Sequence, residues 1–233
     1  MTSAVHARGA DLERIAAEAA ALRPRLALDV GTAAAHVALA LAAHAELVVG
    51  LDLTEPMLVQ AARQRDERGV RNLRLVRGDV EHLPLRAGSV ELATSRYSAH
   101  HYPHPEAFAR EVARVLVRGG QLLLSDTVSP PDRALDAWIN EVELWRDPSH
   151  VRDHSVAEWH RYLGEAGLRV ETLVEWRLTL DFEDWLKRMQ TPADRADRIR
   201  AMFEGASPAH RSAFELARTS FALHAALIRA VKP

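Results

Sequence analysis

Three aspartates sit where short apolar runs end. Asp29 lies in Leu26–Val30, Asp52 closes Leu47–Asp52, and Asp79 follows Gly78. A carboxylate so placed accepts hydrogen bonds from a hydroxyl-rich or cationic ligand. Asp29 stands just before Gly31, and a glycine turn opening into a helix lets a ligand approach backbone N–H groups. Asp52 suits the two hydroxyls of a ribose, and Asp79 an exocyclic amine. A second group fills the stretch Ser95-Arg96-Tyr97-Ser98-Ala99-His100-His101-Tyr102-Pro103-His104. His100 or His101 suits a general base, because imidazole titrates near neutrality. The alternative is a loop histidine that bonds backbone or stacks on Tyr102. Arg96, beside Tyr97, suits an acidic acceptor or a neighbouring acid. Pro103 interrupts the histidines and no fitting carboxylate accompanies them, so no metal site is expected. His36 reads as a solvated residue at a helix start. Further along, His150 and Arg152 are polar candidates for contact with a substrate.

These residues need a frame, and the apolar pattern supplies one. Short apolar runs at 26–30, 47–52, 73–76, 90–94 and 121–126 read as strands, mostly separated by segments of helical period at 11–23, 33–43, 54–62 and 105–117. Thr54 is placed to cap the third of these, with Pro56 in its first turn. Alternation of this kind predicts an α/β fold with a doubly wound, mostly parallel, Rossmann-like sheet. Right-handed crossovers then put the strand carboxyl ends, and with them the aspartates, on one edge. After Asp126 the rhythm changes. Helical stretches at 132–145, 155–164 and 182–214, the last interrupted at Pro192 and Pro208, form a helical cap, and 168–176 and 220–231 read as two more strands, seven in all. The chain is thus expected to be one domain over 1–233, with a cofactor-binding half at 1–126 and a cap and substrate half at 127–233. All five tryptophans lie in the second half, either as the core of the cap or as an aromatic lid over a planar acceptor.

Composition narrows the function. The 233 residues carry 30 Lys+Arg against 32 Asp+Glu, a formal charge of −2. A nucleic-acid binder normally carries a basic excess, so none is expected. With no cysteine, disulfides, thiolate zinc and a cysteine nucleophile are excluded. No apolar run spans a bilayer, and the N-terminal residues have no signal-peptide core. A cytoplasmic protein without membrane contact is the expectation.

The motifs LALDVG, VVGLDLTEPML, GDVEHLPL and EVARVLVRGGQLLLSD occur in that order between Leu26 and Asp126. Together they resemble the class I S-adenosylmethionine-dependent methyltransferases, and within them the ubiquinone/menaquinone-biosynthesis type (methyltransferase type 11) acting on small molecules. The resemblance implies S-adenosyl-L-methionine as cofactor and a small-molecule O, C or N nucleophile as methyl acceptor. It implies that Asp52 binds the ribose, that Leu53 packs on the adenine, and that Asp79 and the Val80 amide read the adenine edge. Gly31 would pass close to the methionine moiety. Asp29, Thr32, Ala33, Met57 and Ser95 complete the expected cofactor set. His100 and His101 are the candidate bases, and Arg96, Tyr97, His150 and Arg152 the candidate acceptor contacts. Partners would be the acceptor and, in a homodimer, a second copy of the chain. One departure stands out: the family pattern D-x-G-x-G-x-G reads here Asp29-Val30-Gly31-Thr32-Ala33-Ala34-Ala35. Alanines replace glycines at 33 and 35, which favours an alternative, a methyltransferase-fold binding module with weakened or lost cofactor binding. A nicotinamide-binding turn wants G-x-G-x-x-G, and this turn holds only Gly31.

Overall fold

The computed structural model describes residues 9–233. The expectation about the first residues concerns 1–8 and lies outside the described residues. Seven strands form one sheet: β1 Leu26–Val30, β2 Leu47–Asp52, β3 Leu73–Arg77, β4 Val90–Arg96, β5 Leu116–Thr127, β6 Arg169–Asp181 and β7 Ser220–Val231. Their order is β3-β2-β1-β4-β5-β7-β6. The first five are parallel, while β7 runs antiparallel between β5 and β6. Strands 1 and 2 are buried on both faces, as parallel strands covered by helices must be. The order reverses between β1 and β4, the place where open α/β sheets bind ligands.

Helices α1 (Ala10–Leu22), α2 (His36–Leu41) and α3 (Glu55–Glu67) precede β1, β2 and β3 in turn, and α4 (Pro105–Val115) leads into β5. Ile15, Ala19, Val37 and Ala61 pack with Leu73, Leu92 and Leu227 on one face of the sheet. On the other face Phe108 and Val112 of α4 meet Trp159 and Leu163 of α6 (Val156–Glu165). Arg23, in left-handed conformation at φ 47°, and Pro24 end α1, as read from sequence. A capping box between Ser155 and Glu158 starts α6. Thr54 departs from expectation. It makes no cap bond, because its amide and hydroxyl both turn back to the Asp52 carboxylate at 2.9 and 2.7 Å. A charge-assisted bond wins over a neutral cap.

β6 continues five residues past the expected end at 176. Its outer part pairs with the start of β7, Leu178 with Leu223 and Asp181 with Ser220, beyond the end of β5 at Thr127. This two-stranded extension carries the cap: α5 (Arg133–Arg146), α7 (Phe182–Arg188), α8 (Ala193–Glu204) and α9 (Pro208–Ala213). Its core is built on Val142, Trp185, Ile199, Phe214 and Phe221. Pro192 and Pro208 start helices, where a missing N–H costs nothing. The tryptophans mostly fill interiors, Trp159 under the sheet and Trp138, Trp145 and Trp185 in the cap, as the cap-core alternative has it, while Trp185 also borders the space beneath the cap.

Candidate active site

The loop after β1 is the geometric centre of the site. Gly31 has φ +68°, and a Cβ there would lie 1.9 Å from Ser98 Oγ, so the β1 turn passes directly under the loop that follows β4. Ala33 (φ 43°) and Ala35 (φ 65°) are also left-handed. The loop keeps the conformation that glycine favours although alanine costs about 1 kcal/mol there. Compensating bonds hold it. Asp29 accepts from Thr32 Oγ1 at 2.6 Å, Thr94 Oγ1 at 2.8 Å and the Ala38 amide at 3.2 Å. Burial still pushes the Asp29 carboxyl up to about 6. The Ala33 amide donates to Asp52 Oδ2 at 2.8 Å, tying the first loop to the end of β2.

A cleft of about 860 Å³ opens above this loop. Asp29, Gly31, Thr32, Ala33, Asp52 and Thr54 border it on one side, Asp79 and Val80 on another. Leu53 and Met57, 61% and 38% exposed, present apolar surface to it. The Asp79 carboxylate accepts from the Glu81 amide at 2.9 Å, which holds it below the usual carboxylate range. His36 also borders the cleft. It is half-buried rather than solvated, and its Nε2 is buried without a hydrogen-bond partner.

Beneath the cap a chamber of about 150 Å³ adjoins the cleft. The two share Tyr97, His101, Arg146, Asp147, Arg188 and Met189. Three histidines meet here. The ring of His100 is 4.2 Å from that of His101 and 5.8 Å from that of His150. His100 Nδ1 donates to Asp126 Oδ1 at 2.7 Å, and Asp126 Oδ2 accepts from the amides of Ser98, Ala99 and His100. Burial opposes a charge on His100, but Asp126, with Asp153 and Glu143 behind it, more than offsets this and raises it to about 9. His101 behaves oppositely: burial and the neighbouring His100 charge lower it. Its Nδ1 lies 3.0 Å from the Ser149 carbonyl oxygen, so Nδ1 carries the proton and Nε2 the lone pair. His150 is pushed down to about 3 by burial and by both other histidines.

The family model described as a methyltransferase domain matches residues 28–124. The chain is 36% identical to an uncharacterized methyltransferase, YcgJ of Bacillus subtilis, over 98% of this chain and 92% of that protein. The crystal structure of YcgJ superposes with a TM-score of 0.92, covering 95% of this chain and 97% of the other. An uncharacterized Escherichia coli protein, YafE, is 38% identical over 75% of this chain and 84% of its own. A demethylmenaquinone methyltransferase of Thermus thermophilus is 33% identical over 48% and 51%. The chain belongs to the S-adenosylmethionine-dependent methyltransferase family. The residues of the methyltransferase cleft fit that cofactor. They combine an apolar platform, strand-end carboxylates, a glycine-type turn and the orphaned His36 nitrogen.

Not every expected residue faces the cleft or chamber. Ser95 is buried behind the loop, bonded to the Tyr102 hydroxyl at 3.0 Å. Arg96 borders the cleft but its guanidinium is buried in an ion pair with Asp11, Nε to Oδ2 at 2.5 Å. It anchors α1 to the sheet, so its reading as an acceptor contact is corrected to the pairing alternative. Arg152 binds Asp136 at 2.8 Å and borders neither space. Its position is occupied in joining the cap loop to α5. Tyr97 does border both, at a left-handed φ of 49°. Sequence reasoning missed Asp126 as the partner of His100, Thr54 beside Asp52, and the buried charges Glu143, Asp147 and Asp153. Asp126 carried a signal: an acid at the end of β5 faces the neighbouring β4 loop. The others carried none, because the cap folds them in from remote positions.

Proposed function

We propose that the protein transfers the methyl group of S-adenosylmethionine to an oxygen, nitrogen or carbon nucleophile of a small molecule. The cofactor supplies an electrophilic methyl on a sulfonium; the chain supplies alignment, exclusion of water and a proton acceptor. Asp52 spends three of its roughly four acceptor sites on Ala33 and Thr54. A ribose diol then meets the last Oδ2 lone pair and the Thr54 hydroxyl, which accepts as readily as it donates. Leu53 and Met57 take the adenine face, and Asp79 with the Val80 amide takes its edge. His101, neutral and with a bare Nε2, is the base for the acceptor proton. His100 stays an imidazolium held by Asp126, so it donates rather than accepts.

The observation that carries this reading is the continuity of the cleft with the histidine chamber through Tyr97 and His101. The test is calorimetric titration with S-adenosylmethionine and S-adenosylhomocysteine. Saturable binding at micromolar ligand is expected. No binding at millimolar ligand would overturn the reading in favour of a non-enzymatic binding module, the alternative to which strain at Ala33 and Ala35 points.

A further inference from the structure

The chamber wall carries a hydrogen-bonding pattern that the general reading does not use. Asn140 fixes it. Its Nδ2 donates to the backbone oxygens of Asp136 and Asp153 and to Asp136 Oδ1, and its Oδ1 accepts from the Asp153 amide at 2.7 Å. The amide orientation is therefore settled, and His150 Nε2, 3.0 Å from that same Oδ1, must carry a proton. A neutral His150 then has a bare Nδ1, which makes no hydrogen bond within the described residues. The residue is 6% exposed and lines the chamber. His101 repeats the arrangement, its Nδ1–H spent on Ser149 and its Nε2 bare. Between the two stands His100, whose Nδ1 is spent on Asp126 and whose Nε2 is a donor while the ring is charged. The wall thus reads acceptor, donor, acceptor. The cap loop holds the three in place, since the amides of Val151 and Arg152 donate to the His100 carbonyl at 2.9 and 3.0 Å. Leu178, Leu180 and Leu223 add apolar surface to the lining. Glu143, Arg146, Asp153 and Arg188 also line the chamber, and a cavity of this volume admits about one benzene-sized ring.

We infer that the chamber selects a compact acceptor, about one ring in size, bearing two hydroxyl or amino groups on neighbouring atoms. One group gives its proton to His101 Nε2 and the other donates to His150 Nδ1. For a hydroxyl, an oxygen electron pair forms the O–CH3 bond. The C–S bond breaks with its pair left on sulfur as a neutral thioether, and the proton moves to His101. His100 Nε2–H donates to the oxygen as its charge develops. A single-donor acceptor would leave the His150 lone pair unpaired in a buried site, the situation that gives strong discrimination. His150 is thus the specificity-determining residue.

This rests on the cofactor reading above, and the test separates the two. With the full chain and saturating S-adenosylhomocysteine, catechol and 2-aminophenol are titrated beside phenol and benzoate. The two-donor probes are expected to bind at least tenfold more tightly than phenol. His150→Phe should bring catechol to the level of phenol while S-adenosylhomocysteine affinity is unchanged. In the unsubstituted protein the ¹⁵N resonance of His150 Nδ1 should shift on adding catechol and stay put with phenol, a readout that needs no variant. Equal affinity of phenol and catechol, or no Nδ1 shift, would overturn the inference and leave the cofactor reading intact. Benzoate binding more tightly than catechol would overturn it too, shifting recognition to an anion at Arg146 and Arg188. Failure of S-adenosylhomocysteine to bind would remove both.

Discussion

The cleft and the chamber share a rim but are built on different principles. The cleft is assembled from the ends of three adjacent strands, and its polar groups are backbone amides and carboxylates fixed by tight turns. Its demands are geometric: a left-handed φ at Gly31, a close approach to Ser98, amides gathered on Asp29 and Asp52. The chamber draws on the loop after β4, β5, α5, the loop after it, β6, α7 and β7. Its side chains are charged, buried and mutually dependent, and protonation states decide what they do. A ligand held by backbone amides is recognised with little dependence on pH near neutrality, whereas one held by coupled imidazoles is recognised only within a window. The sharpest ways to break this contrast strike each side where it is most committed.

The largest effect is expected at Gly31. Gly31→Ala forces a methyl to within 1.9 Å of Ser98 Oγ and places alanine at φ +68°. Overpacking and the backbone penalty together cost roughly 4 kcal/mol, lowering the melting temperature by about 8–16 °C. S-adenosylhomocysteine binding should vanish in calorimetry even at temperatures where the variant is folded. Retained affinity would show that the turn does not shape the cleft.

The chamber's counterpart is Asp126→Asn. His100 faces Asp126 from β5, Asp153 and His150 from the cap loop, Glu143 from α5, and His101 from its own turn. Its value in the folded state, about 9, exceeds the ordinary 6.5, so the pair stabilises the folded form fully below pH 6.5. That stabilisation is lost as pH rises through about 9. At the acid end it fades as Asp126, ordinarily near 3.8 and held lower here, takes up a proton. Breaking the pair is expected to cost about 3 kcal/mol between the acid end and pH 6.5, and progressively less from there to pH 9. Denaturant titrations of both proteins should converge above pH 9, and histidine NMR should show His100 titrating well below its original value. A difference independent of pH would mean that Asp126 acts only by capping the turn.

How much of this was legible in the sequence follows the same divide. Strand ends, the helix stop at Pro24, the helix starts at Pro192 and Pro208, and the carboxylates 29, 52 and 79 are local features, each set by residues a few positions away. They were readable because apolar period and turn chemistry are local. Even so, the partner of Thr54 was misjudged, since a cap and a bend back to Asp52 share one sequence signature. The end of β6 was legible but under-read: residues 177–181 alternate between exposed and covered positions, the period of a strand. Pairings between remote segments were the least readable. Arg96 and Asp11 are 85 residues apart, and nothing near either announces the pair. Arg152 has acids at 136 and 158 within reach only once α5 and α6 are packed.

A smaller effect tests the cleft's electrostatics apart from its shape. Asp52→Ala removes the acceptor for Ala33 and for a ribose hydroxyl. A charged hydrogen bond contributes about 1.5–3 kcal/mol, so S-adenosylhomocysteine affinity should fall roughly 10- to 150-fold. Arg152→Ala, outside both spaces, should leave that affinity unchanged in the same calorimeter. Equal losses would mean that the cap, not β2, governs cofactor binding.

The smallest effect concerns the two alanines, and here the structure separates what the sequence presents as one anomaly. Both are left-handed, at φ 43° and 65°, and each carries about 1 kcal/mol of strain that glycine relieves. Ala33 is exposed at the cleft edge, so its methyl contributes no burial. Ala35 is completely buried against Val37 and Leu41 in the core beside α2, and removing its methyl forfeits about 0.8 kcal/mol. Ala33→Gly is therefore expected to raise the melting temperature by about 2–4 °C and to tighten S-adenosylhomocysteine binding a few-fold. Ala35→Gly should change either quantity little, because relief and loss nearly cancel. If both variants behave alike, the cost of the alanines is not backbone strain at all. The altered loop would then be as relaxed as its glycine counterpart, and the case for a weakened cleft would lose its physical basis.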